Sequence, residues 1–319
     1  MKAIVYEKYG SANELKLREV EVPTPKDNEV LIKVHAVSPN ASDVEFLKGE
    51  PMYTRMWGLF KPKNTILGSD VAGTVETVGS KVKKFSKGDE VFGDMLGHWG
   101  GFAEYVCAPE NVLTLKPDSL TFEIAATLPQ PAVVAVQGLV YNGKIQPGQK
   151  VLINGAGGGS GTFAIQIAKL SGAEVTGVDS AIKLDLMRSI GADHVIDYQT
   201  EDITKSGQKY DLILDLVSFH SIFGYKRILN PKGAYALVGG SMSHIFQTLI
   251  FGAIISMSGS KKMGILGVNP NQEIDHVIKL IESGKVKAVI DKHYSLSEVP
   301  EAMQYINEGR ARGKVVISV

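Results

Sequence analysis

Glycines near the middle of the chain have the spacing of a turn that binds phosphate groups. Ala156, Gly158 and Gly161 follow the dinucleotide pattern Gly-x-Gly-x-x-Gly, with alanine at its first position. Backbone N–H groups without side chains can approach a pyrophosphate closely, and the N-terminus of a following helix attracts its negative charge. A P-loop would need lysine, and a nucleophile elbow would need glycine, where the chain has Thr162. We therefore predict that this turn binds a dinucleotide.

The elements around the turn agree with this prediction. Residues 150–154 form a short apolar run that predicts a buried strand, and apolar residues recur at helical spacing from Ser160 to Gly172. Residues 174–178 predict a second strand, which Asp179 follows directly. In dinucleotide-binding folds, an acidic residue about 20 positions beyond the turn bonds the ribose hydroxyls. The order of elements is thus the one that a dinucleotide-binding fold requires: a strand, the turn, a helix, a second strand and an acidic residue.

Composition limits the possible partners of the protein. The 319 residues suffice for two domains, and the formal net charge is zero. A neutral chain without clustered cations and aromatic residues argues against nucleic-acid binding, including RNA binding. Cys107 is the single cysteine, which excludes internal disulfides and metal sites built from several cysteines.

The apolar segments of the chain do not predict a membrane span. Residues 1–7 lack the apolar core of a signal peptide, so a cytoplasmic location is the default expectation. The apolar stretch at residues 245–255 is interrupted by Gln247 and Thr248 and is shorter than the ~20 residues that a spanning helix needs. A helix that lines a pocket or contacts another subunit is the better interpretation, and we expect no membrane partner.

The distribution of strand and helix signals predicts two interleaved domains of an α/β protein. Residues 1–125 carry short alternating or apolar runs between turn residues, which predict a mostly antiparallel β domain. Residues 126–268 alternate apolar strands with helices, which predicts a doubly wound parallel sheet covered on both faces. Residues 269–319 return to the first domain, so the parallel sheet is inserted into the β domain.

One edge of the predicted parallel sheet indicates how copies of the chain associate. Residues 263–268 form an apolar strand that we place last in the sheet, after the apolar stretch at residues 245–255. An exposed apolar edge invites strand pairing with a second copy, and two-fold dimers are the commonest closed arrangement. We therefore expect a homodimer.

In its motifs the chain resembles the medium-chain dehydrogenase/reductase superfamily and, within it, the zinc-free quinone oxidoreductase group. The group's signature matches at Gly148-Gln149, Leu152, Ala156-Gly157-Gly158-Gly159, Gly161, Gln166 and Lys169. Further family stretches match at residues 40–43, 68–73, 191–198 and 313–316, so the resemblance covers essentially the whole chain. It implies a Rossmann dinucleotide-binding domain inserted into a GroES-like catalytic domain.

The resemblance also indicates that the chain needs no metal. Zinc-dependent relatives carry a cysteine ligand near residues 40–43, a Gly-His-Glu sequence where this chain has Gly68-Ser69-Asp70, and a third ligand, a cysteine, near Gln130. Catalytic zinc needs such protein ligands to hold the ion and leave one position open. None of the three positions carries cysteine or histidine here. We expect no metal site.

The resemblance implies which residues contact the cofactor. The contacting residues of the turn are Ala156, Gly157, Gly158, Gly159, Ser160 and Gly161. The backbone near Val217, Val238 and Gly239 is expected to flank the nicotinamide ring, and Lys314 is expected at the cofactor through its own family stretch. Val134 stands where many relatives carry a threonine near the nicotinamide, so that hydroxyl contact is not available.

Two features of the chain favour different nucleotides. Asp179 would accept hydrogen bonds from a ribose diol and repel a 2′-phosphate, which favours NAD. Ser180, Lys183 and Tyr198 match positions that hold the 2′-phosphate in relatives that use NADP, although a solvated helix position explains Lys183 equally well. A lysine–phosphate contact is charge-assisted and contributes about 1.5–3 kcal/mol. We expect NADP (as NADPH) to be the cofactor, with NAD as the alternative.

Without a metal, the substrate itself must stabilise the charge that hydride transfer creates. A quinone, or a C=C bond conjugated to a carbonyl, spreads this charge, whereas a simple alcohol or ketone does not. Asn40 is our candidate for a polar anchor beside the substrate or nicotinamide, although a turn residue after Pro39 is an equal interpretation. Tyr53 is a weaker candidate donor, on a loop (residues 53–64) that is either a lid or a surface crossing. We predict zinc-independent, NAD(P)H-dependent reduction of quinones or enones.

Two other functions remain open at this point. The chain could be an alcohol dehydrogenase-like enzyme that acts on another carbonyl substrate. It could instead bind the cofactor without catalysis, as a sensor or a structural protein, because some relatives have been recruited to such roles. Turnover with a panel of enones separates an enzyme from a non-catalytic protein.

Overall fold

The computed structural model describes the backbone of residues 1–319 and every side chain except that of Trp57. The chain divides into two units. The first contains Met1–Gln130, Pro270–Asp275 and Ile290–Val319, and the second contains Pro131–Asn269 and His276–Val289. The second unit is therefore inserted into the first.

The first unit begins as a mostly antiparallel β structure. Its elements are β1 (Lys2–Val5), β2 (Lys16–Glu19), β3 (Glu29–Ser38), α1 (Ala41–Lys48), β4 (Asp70–Val78), β5 (Glu90–Asp94), β6 (Tyr105–Pro109), β7 (Thr114–Leu115) and α2 (Phe122–Ala126). β1 and β2 form their own antiparallel pair. β3 pairs with β4 and β6, and the sheet continues from β4 to β5 and β7, all antiparallel. Val30, Ile32 and Val34 are buried on one face of β3, as the two-residue period of a strand requires.

The second unit is a doubly wound parallel sheet. Its helices are α3 (Pro129–Val136), α4 (Gly159–Leu170), α5 (Leu184–Ser189), α6 (Ile222–Ile228), α7 (Met242–Gln247), α8 (Ala253–Ser258) and α9 (Ile274–Glu282), and the first two residues of α3 and of α9 belong to the first unit. Its strands are β8 (Lys150–Asn154), β9 (Glu174–Asp179), β10 (His194–Asp197), β11 (Tyr210–Asp215), β12 (Leu229–Leu237) and β13 (Lys262–Ile265). The six strands have the order β10-β9-β8-β11-β12-β13 and are parallel throughout. Val151, Leu152 and Ile153 on β8 are fully buried, as expected of a strand covered on both faces.

The strand order reverses between β8 and β11. The chain runs from β8 outwards through β9 and β10, and then returns to place β11 on the other side of β8. Ligands of open α/β sheets bind beyond the carboxyl ends of the strands at such a reversal. Here β8 ends at Asn154, directly before the glycine turn, and β11 ends at Asp215. Val217, which we expected beside the nicotinamide, lies in the loop that follows β11.

Residues 290–318 complete the first unit with β14 (Ile290–Ser295), α10 (Val299–Asn307) and β15 (Lys314–Ser318). β15 lies between β14, to which it is parallel, and β3, to which it is antiparallel. From the sequence we expected all of residues 269–319 in the first domain, whereas His276–Val289 belongs to the second unit. Two hydrogen bonds help to hold it there, because Lys287 N donates to Gln166 Oε1 and Gln166 Nε2 donates to Lys287 O, both at 2.9 Å.

The apolar stretch at residues 245–255 lies in two short helices. α7 and α8 are joined by a π-helical turn, Thr248–Gly252. Phe246, Leu249, Ile250, Ile254 and Met257 are exposed on this segment. Nowhere in the described part of the chain is a helix both long enough and apolar enough to cross a bilayer. β13 occupies the sheet edge, as predicted, but ends at Ile265 and not at residue 268.

Candidate cofactor and substrate sites

The glycine turn between β8 and α4 has the backbone geometry of a phosphate-binding turn. Gly155 has a φ of 83°, a conformation that residues with side chains rarely adopt. A Cβ atom at Gly161 would lie 2.3 Å from the carbonyl oxygen of Gly155, so only glycine lets the helix approach the strand this closely. Gly158 is the N-cap of α4, and none of the described side chains caps the helix there. The turn thus presents an uncapped helix N-terminus, which attracts an anion.

Two hydrogen bonds attach the turn to β9. The N–H groups of Gly155 and Ala156 both donate to the carbonyl oxygen of Val178, at 2.9 and 3.1 Å. Ala156, at the first position of the pattern, is fully buried. Gly155 was missed at the sequence level, although its place directly after a strand and before the glycine pattern is a typical position for positive φ.

Asp179 and Lys183 form a buried ion pair. Lys183 Nζ lies 3.2 Å from Asp179 Oδ1, and both side chains are at least nine-tenths buried. Asp179 Oδ2 also accepts a hydrogen bond from Gly157 N at 2.9 Å, and Oδ1 accepts one from Ser180 N at 2.8 Å. The aliphatic part of Lys183 passes over Gly157, where a Cβ atom would lie 2.6 Å from Lys183 Cβ. From the sequence, Asp179 and Lys183 favour different nucleotides, whereas in the structure they form an ion pair beside the glycine turn.

Aromatic side chains lie near the end of β10. The rings of Tyr198 and Phe219 stack with their centroids 4.8 Å apart and their planes at 23°. Both are partly exposed, at 37 % for Tyr198 and 54 % for Phe219. Tyr198 N donates to the carbonyl oxygen of Asp179 at 3.2 Å, which keeps Tyr198 close to the end of β9. Phe219 was missed at the sequence level because an isolated aromatic residue in a loop carries no motif.

A buried carboxylate organises the loop after β11. Asp215 Oδ1 accepts hydrogen bonds from Asn154 Nδ2 and from Ser218 N, both at 2.8 Å, and Oδ2 accepts one from the hydroxyl of Tyr235 at 2.9 Å. Burial, followed by the charge of Asp215, raises the pKa of Tyr235, so its hydroxyl remains a donor. Asp215 therefore links the ends of β8, β11 and β12 at the reversal of strand order.

The other residues of the second unit that we expect at the cofactor differ in their exposure to solvent. Val217 is exposed in the loop after β11, and Val238 and Gly239 are half-buried directly after β12. Val238 N donates to the carbonyl oxygen of Asp215 at 2.8 Å, which joins the residue directly after β12 to the end of β11. Ser160 is half-buried in the first turn of α4, and Val134 is buried on α3. Their contacts to a nicotinamide nucleotide stay predictions.

In the first unit, Asn40 lies buried at the N-terminus of α1. Its Oδ1 accepts a hydrogen bond from Lys314 Nζ. Its Nδ2 donates to Ser69 Oγ at 3.1 Å and to Asp70 Oδ2 at 2.9 Å. Both amide hydrogens are therefore engaged within the protein, and Asn40 could donate to a substrate only by giving up one of these bonds. Its role as a polar anchor stays a prediction.

Lys314 connects the last strand of the first unit to this asparagine. Besides Asn40, its Nζ donates to the carbonyl oxygen of Pro39 at 3.1 Å and lies 3.8 Å from Asp70 Oδ2. The side chain is only 2 % exposed. Lys314 Nζ thus has two hydrogen-bond acceptors and a nearby carboxyl group inside the first unit, which gives the lysine an internal role. A direct contact between Lys314 and a cofactor stays a prediction.

Asp43, Asp70 and Asp94 are three buried carboxyl groups around this lysine. Burial raises the pKa of Asp43 to about 6, although hydrogen bonds from Asn40 N, Ser69 and Gly68 N oppose the shift. Burial raises the pKa of Asp70 well above its usual value, and the neighbouring Asp94 carboxylate raises it further. Burial also raises the pKa of Asp94. The group therefore holds protons more tightly than exposed carboxylates do.

At the positions where zinc-dependent relatives carry metal ligands, the side chains of this chain form hydrogen bonds with other residues of the first unit. Asn40 donates to Ser69, Ser42 Oγ donates to Gln130 Oε1 at 3.0 Å, and Gln130 N donates to Asp70 Oδ1 at 3.1 Å. Over the described side chains, no three His, Cys, Asp or Glu residues are arranged to hold a metal ion. Independence from metal stays a prediction for a measurement on the protein.

Tyr53 lies in a short 3₁₀ segment after α1, Met52–Trp57. Its hydroxyl donates to Glu45 Oε2 at 2.7 Å. Burial, followed by the charge of Glu45, raises the pKa of Tyr53, so the hydroxyl keeps its proton. Because this proton is directed at Glu45, a role for Tyr53 as a donor to substrate requires a rotation of the side chain, and that role also stays a prediction.

Comparisons with known proteins agree with these observations. The family model described as "Alcohol dehydrogenase GroES-like domain" matches residues 26–118, and the one described as "Zinc-binding dehydrogenase" matches residues 190–317. The chain is 33 % identical to the chloroplastic quinone-oxidoreductase QR1 of Triphysaria versicolor, over 99 % of this chain and 98 % of the relative. It is 35 % identical to the chloroplastic NADPH-dependent alkenal/one oxidoreductase of Arabidopsis thaliana, over 99 % of this chain and 79 % of the relative.

A solved structure shares the whole fold. The quinone oxidoreductase from Coxiella burnetii superposes with a TM-score of 0.89 at 29 % identity, covering 100 % of this chain and 99 % of the other. The parallel sheet with its glycine turn, the antiparallel unit that contains α1, and the similarity over the full length of relatives all lead to one assignment. The chain belongs to the medium-chain dehydrogenase/reductase superfamily and, within it, to the quinone oxidoreductase group.

Proposed function

We propose that this chain transfers a hydride from NADPH to quinones or to α,β-unsaturated carbonyl compounds. The observation that carries the proposal is the glycine turn at the reversal of strand order, with Gly155 and Gly161 fixed by their backbone geometry. Relatives named quinone oxidoreductase and NADPH-dependent alkenal/one oxidoreductase support this substrate class.

The residues of the second unit fit a dinucleotide. When bound, a reduced nicotinamide supplies the hydride, and the protein must orient it and exclude water. The uncapped N-terminus of α4 would hold the pyrophosphate, because its N–H groups and helix dipole favour an anion. Lys183 and Tyr198 would lie at the ribose that bears the 2′-phosphate, beside Asp179. With Lys183 paired to it, Asp179 repels a phosphate less than an isolated carboxylate does.

We propose that the reaction is independent of zinc. At the compared positions the chain has Asn40, Ser69 and Gln130, whose polar atoms bond to other residues. The ammonium of Lys314 lies against Asn40 and would repel a metal cation at this place. A substrate that spreads negative charge over a conjugated system does not require a metal for that purpose. Stoichiometric zinc in elemental analysis, with activity lost when it is removed, would contradict the proposal.

Steady-state assays with a panel of acceptors test the reaction. We expect NADPH to reduce quinones and enones, and we expect no oxidation of simple alcohols in the presence of NADP. The reason is that only conjugated acceptors stabilise the developing charge themselves. Oxidation of simple alcohols without reduction of any conjugated acceptor would overturn the proposal. Tight binding of NADPH without turnover across the panel would favour the sensor or structural alternative.

We propose that Lys183 makes NADPH the preferred nucleotide. Lys183→Met keeps the aliphatic packing over Gly157 and removes the charge that a 2′-phosphate would contact. We expect the Kd for NADPH to rise about tenfold or more and the Kd for NADH to change little. Fluorescence titration of both nucleotides measures this. Lys279→Met, on α9 of the same unit, is the control. Tighter binding of NADH than of NADPH by the unaltered protein would assign the preference to Asp179.

We propose that the chain forms a homodimer through the edge of the parallel sheet. β13 leaves the backbone groups of one side without a neighbouring strand in the sheet order, and the adjacent α7 and α8 expose apolar side chains. An apolar edge of this kind favours pairing with a second copy around a two-fold axis. Light scattering at micromolar concentration decides the matter, because a monomeric mass would remove the proposal.

A further inference from the structure

Ser218 combines an unfavourable backbone conformation with a buried hydroxyl group that has no hydrogen-bond partner among the described residues. Its φ is 55°, in the left-handed region that serine rarely occupies. The residue is only 5 % exposed. Its Oγ is buried, and within the part of the chain that the structure describes this hydroxyl has no hydrogen-bond partner. A buried hydroxyl without a partner and a strained backbone both cost folding free energy, and glycine would avoid both costs.

The surroundings of Ser218 hold this conformation in place. Its backbone N–H donates to Asp215 Oδ1 at 2.8 Å, which fixes the turn after β11. The side chain packs against Gly240, because a Cβ atom at Gly240 would lie 2.6 Å from Ser218 Cβ. The contacts with Asp215 and Gly240 thus hold a serine in a backbone conformation that favours glycine. Strained residues that the surrounding structure maintains are concentrated at ligand-binding sites.

The loop that carries Ser218 lies beside the residues expected at the adenosine end of the dinucleotide. Phe219, the next residue, stacks on Tyr198, which bonds to the backbone of Asp179. We expected the preceding residue, Val217, beside the nicotinamide, whereas the stacking of Phe219 favours the adenosine side for this loop. Asp215 also ties the loop to Asn154 at the end of β8, where the glycine turn begins.

From these observations we propose that the Ser218 hydroxyl hydrogen-bonds the adenosine ribose of the bound nucleotide. The inference rests on the proposed function only in requiring that the chain binds a nicotinamide nucleotide. Serine has one side-chain torsion with three staggered positions, so rotation about Cα–Cβ redirects the hydroxyl without moving the backbone. The hydroxyl can donate to, or accept from, a ribose hydroxyl. The ligand thereby supplies the partner that the folded chain alone does not.

Binding measurements on two variants test this proposal. Ser218→Ala keeps the Cβ atom and removes the hydroxyl, whereas Ser218→Gly also removes the backbone strain. Calorimetric titration with NADPH and with 2′,5′-ADP separates the two riboses, because 2′,5′-ADP contains only the adenosine ribose. We expect both variants to bind both ligands roughly three- to tenfold more weakly. We also expect Ser218→Gly to unfold at the same Tm as the unaltered protein or a higher one.

The control is a second residue with positive φ in the same unit. Lys232 has a φ of 66° and is exposed, so Lys232→Gly relieves similar strain far from any expected ligand contact. The affinity of the Lys232→Gly variant for NADPH and for 2′,5′-ADP should equal that of the unaltered protein. Unchanged affinity of Ser218→Ala for 2′,5′-ADP would overturn the proposal, whether or not NADPH binding weakens. If the unaltered protein binds neither NADPH nor 2′,5′-ADP, the proposed cofactor itself is wrong. This outcome differs from normal binding by the Ser218→Ala variant, which contradicts only the proposed role of Ser218.

Discussion

Gly161→Ala is expected to bind NADPH at least a hundredfold more weakly than the unaltered protein. The added Cβ atom would lie 2.3 Å from the carbonyl oxygen of Gly155 and 2.5 Å from backbone atoms of Ala156. These are backbone atoms of the turn itself, so the helix must move away from β8 and the N–H groups lose their positions. The same overpacking should destabilise the protein by about 1–3 kcal/mol or more. Calorimetric titration and thermal unfolding measure the two effects.

Gly267→Ala is the matched control for this substitution. A Cβ atom at Gly267 would meet no other atom within 4 Å, so neither affinity nor Tm should change appreciably. Binding of NADPH by Gly161→Ala within about threefold of the unaltered protein, a difference under 1 kcal/mol, would mean that the turn does not position the nucleotide.

Lys314→Met is expected to lower the free energy of unfolding by about 3–5 kcal/mol at pH 8. The substitution removes an ammonium group that lies, fully buried, beside the Asp70 carboxylate and bonds to Asn40. Methionine fills a volume similar to that of lysine, so the lower free energy of unfolding is due mainly to the Asp70 carboxylate, which is left without a positive charge beside it. Urea unfolding followed by fluorescence provides the measurement.

The pH dependence of this loss has a definite sign. In the folded protein the pKa of Asp43 is raised to about 6, and those of Asp70 and Asp94 are also raised. A carboxyl group with a raised folded-state pKa stabilises the fold at low pH and loses this contribution as pH rises through that pKa. Without the lysine, these pKa values rise further, so the deficit should be small near pH 5 and should grow towards pH 8.

Lys16→Met is the control for this experiment, because Lys16 lies on β2 of the same unit and is exposed. Its effect should stay within about 0.5 kcal/mol at every pH. A deficit of Lys314→Met below about 1 kcal/mol at pH 8, or one that increases towards acid, would show that the buried carboxylates do not depend on this lysine.

The local structure around the glycine turn could be predicted because its signals lie close together in the sequence. Strand, glycine spacing, helix and Asp179 all lie within residues 150–179, and the structure places them as the spacing predicts. The pairing of Asp179 with Lys183 was missed, because the sequence shows both residues but not the turn of the backbone that brings their side chains together. The left-handed backbone at Ser218 was missed for a related reason. Ser218 N donates to Asp215 Oδ1 and the Ser218 side chain packs against Gly240, and the sequence shows neither contact.

The surroundings of Asn40 could not be predicted from the sequence. Its partners are Ser69, Asp70 and Lys314, which come from separate segments of the chain. The family motifs placed each of these segments near the site, but no spacing rule indicates that their polar atoms bond to each other. Tertiary packing alone determines that Asn40 is enclosed and that its amide hydrogens are engaged.

The position of β15 has a consequence for the order in which the protein forms on the ribosome. β15 lies between β14 and β3, and it carries the lysine that contacts Asn40. All residues of the inserted unit are translated before Ile290, so the parallel sheet can be complete while the antiparallel sheet still lacks two of its strands. In a chain arrested at this stage, the glycine turn exists, but Asp43 and Asp70 still lack the positive charge of Lys314, and Asn40 Oδ1 still lacks its hydrogen bond from Lys314. The glycine turn of the inserted unit can therefore form earlier during synthesis than the buried ionic cluster around Lys314 does.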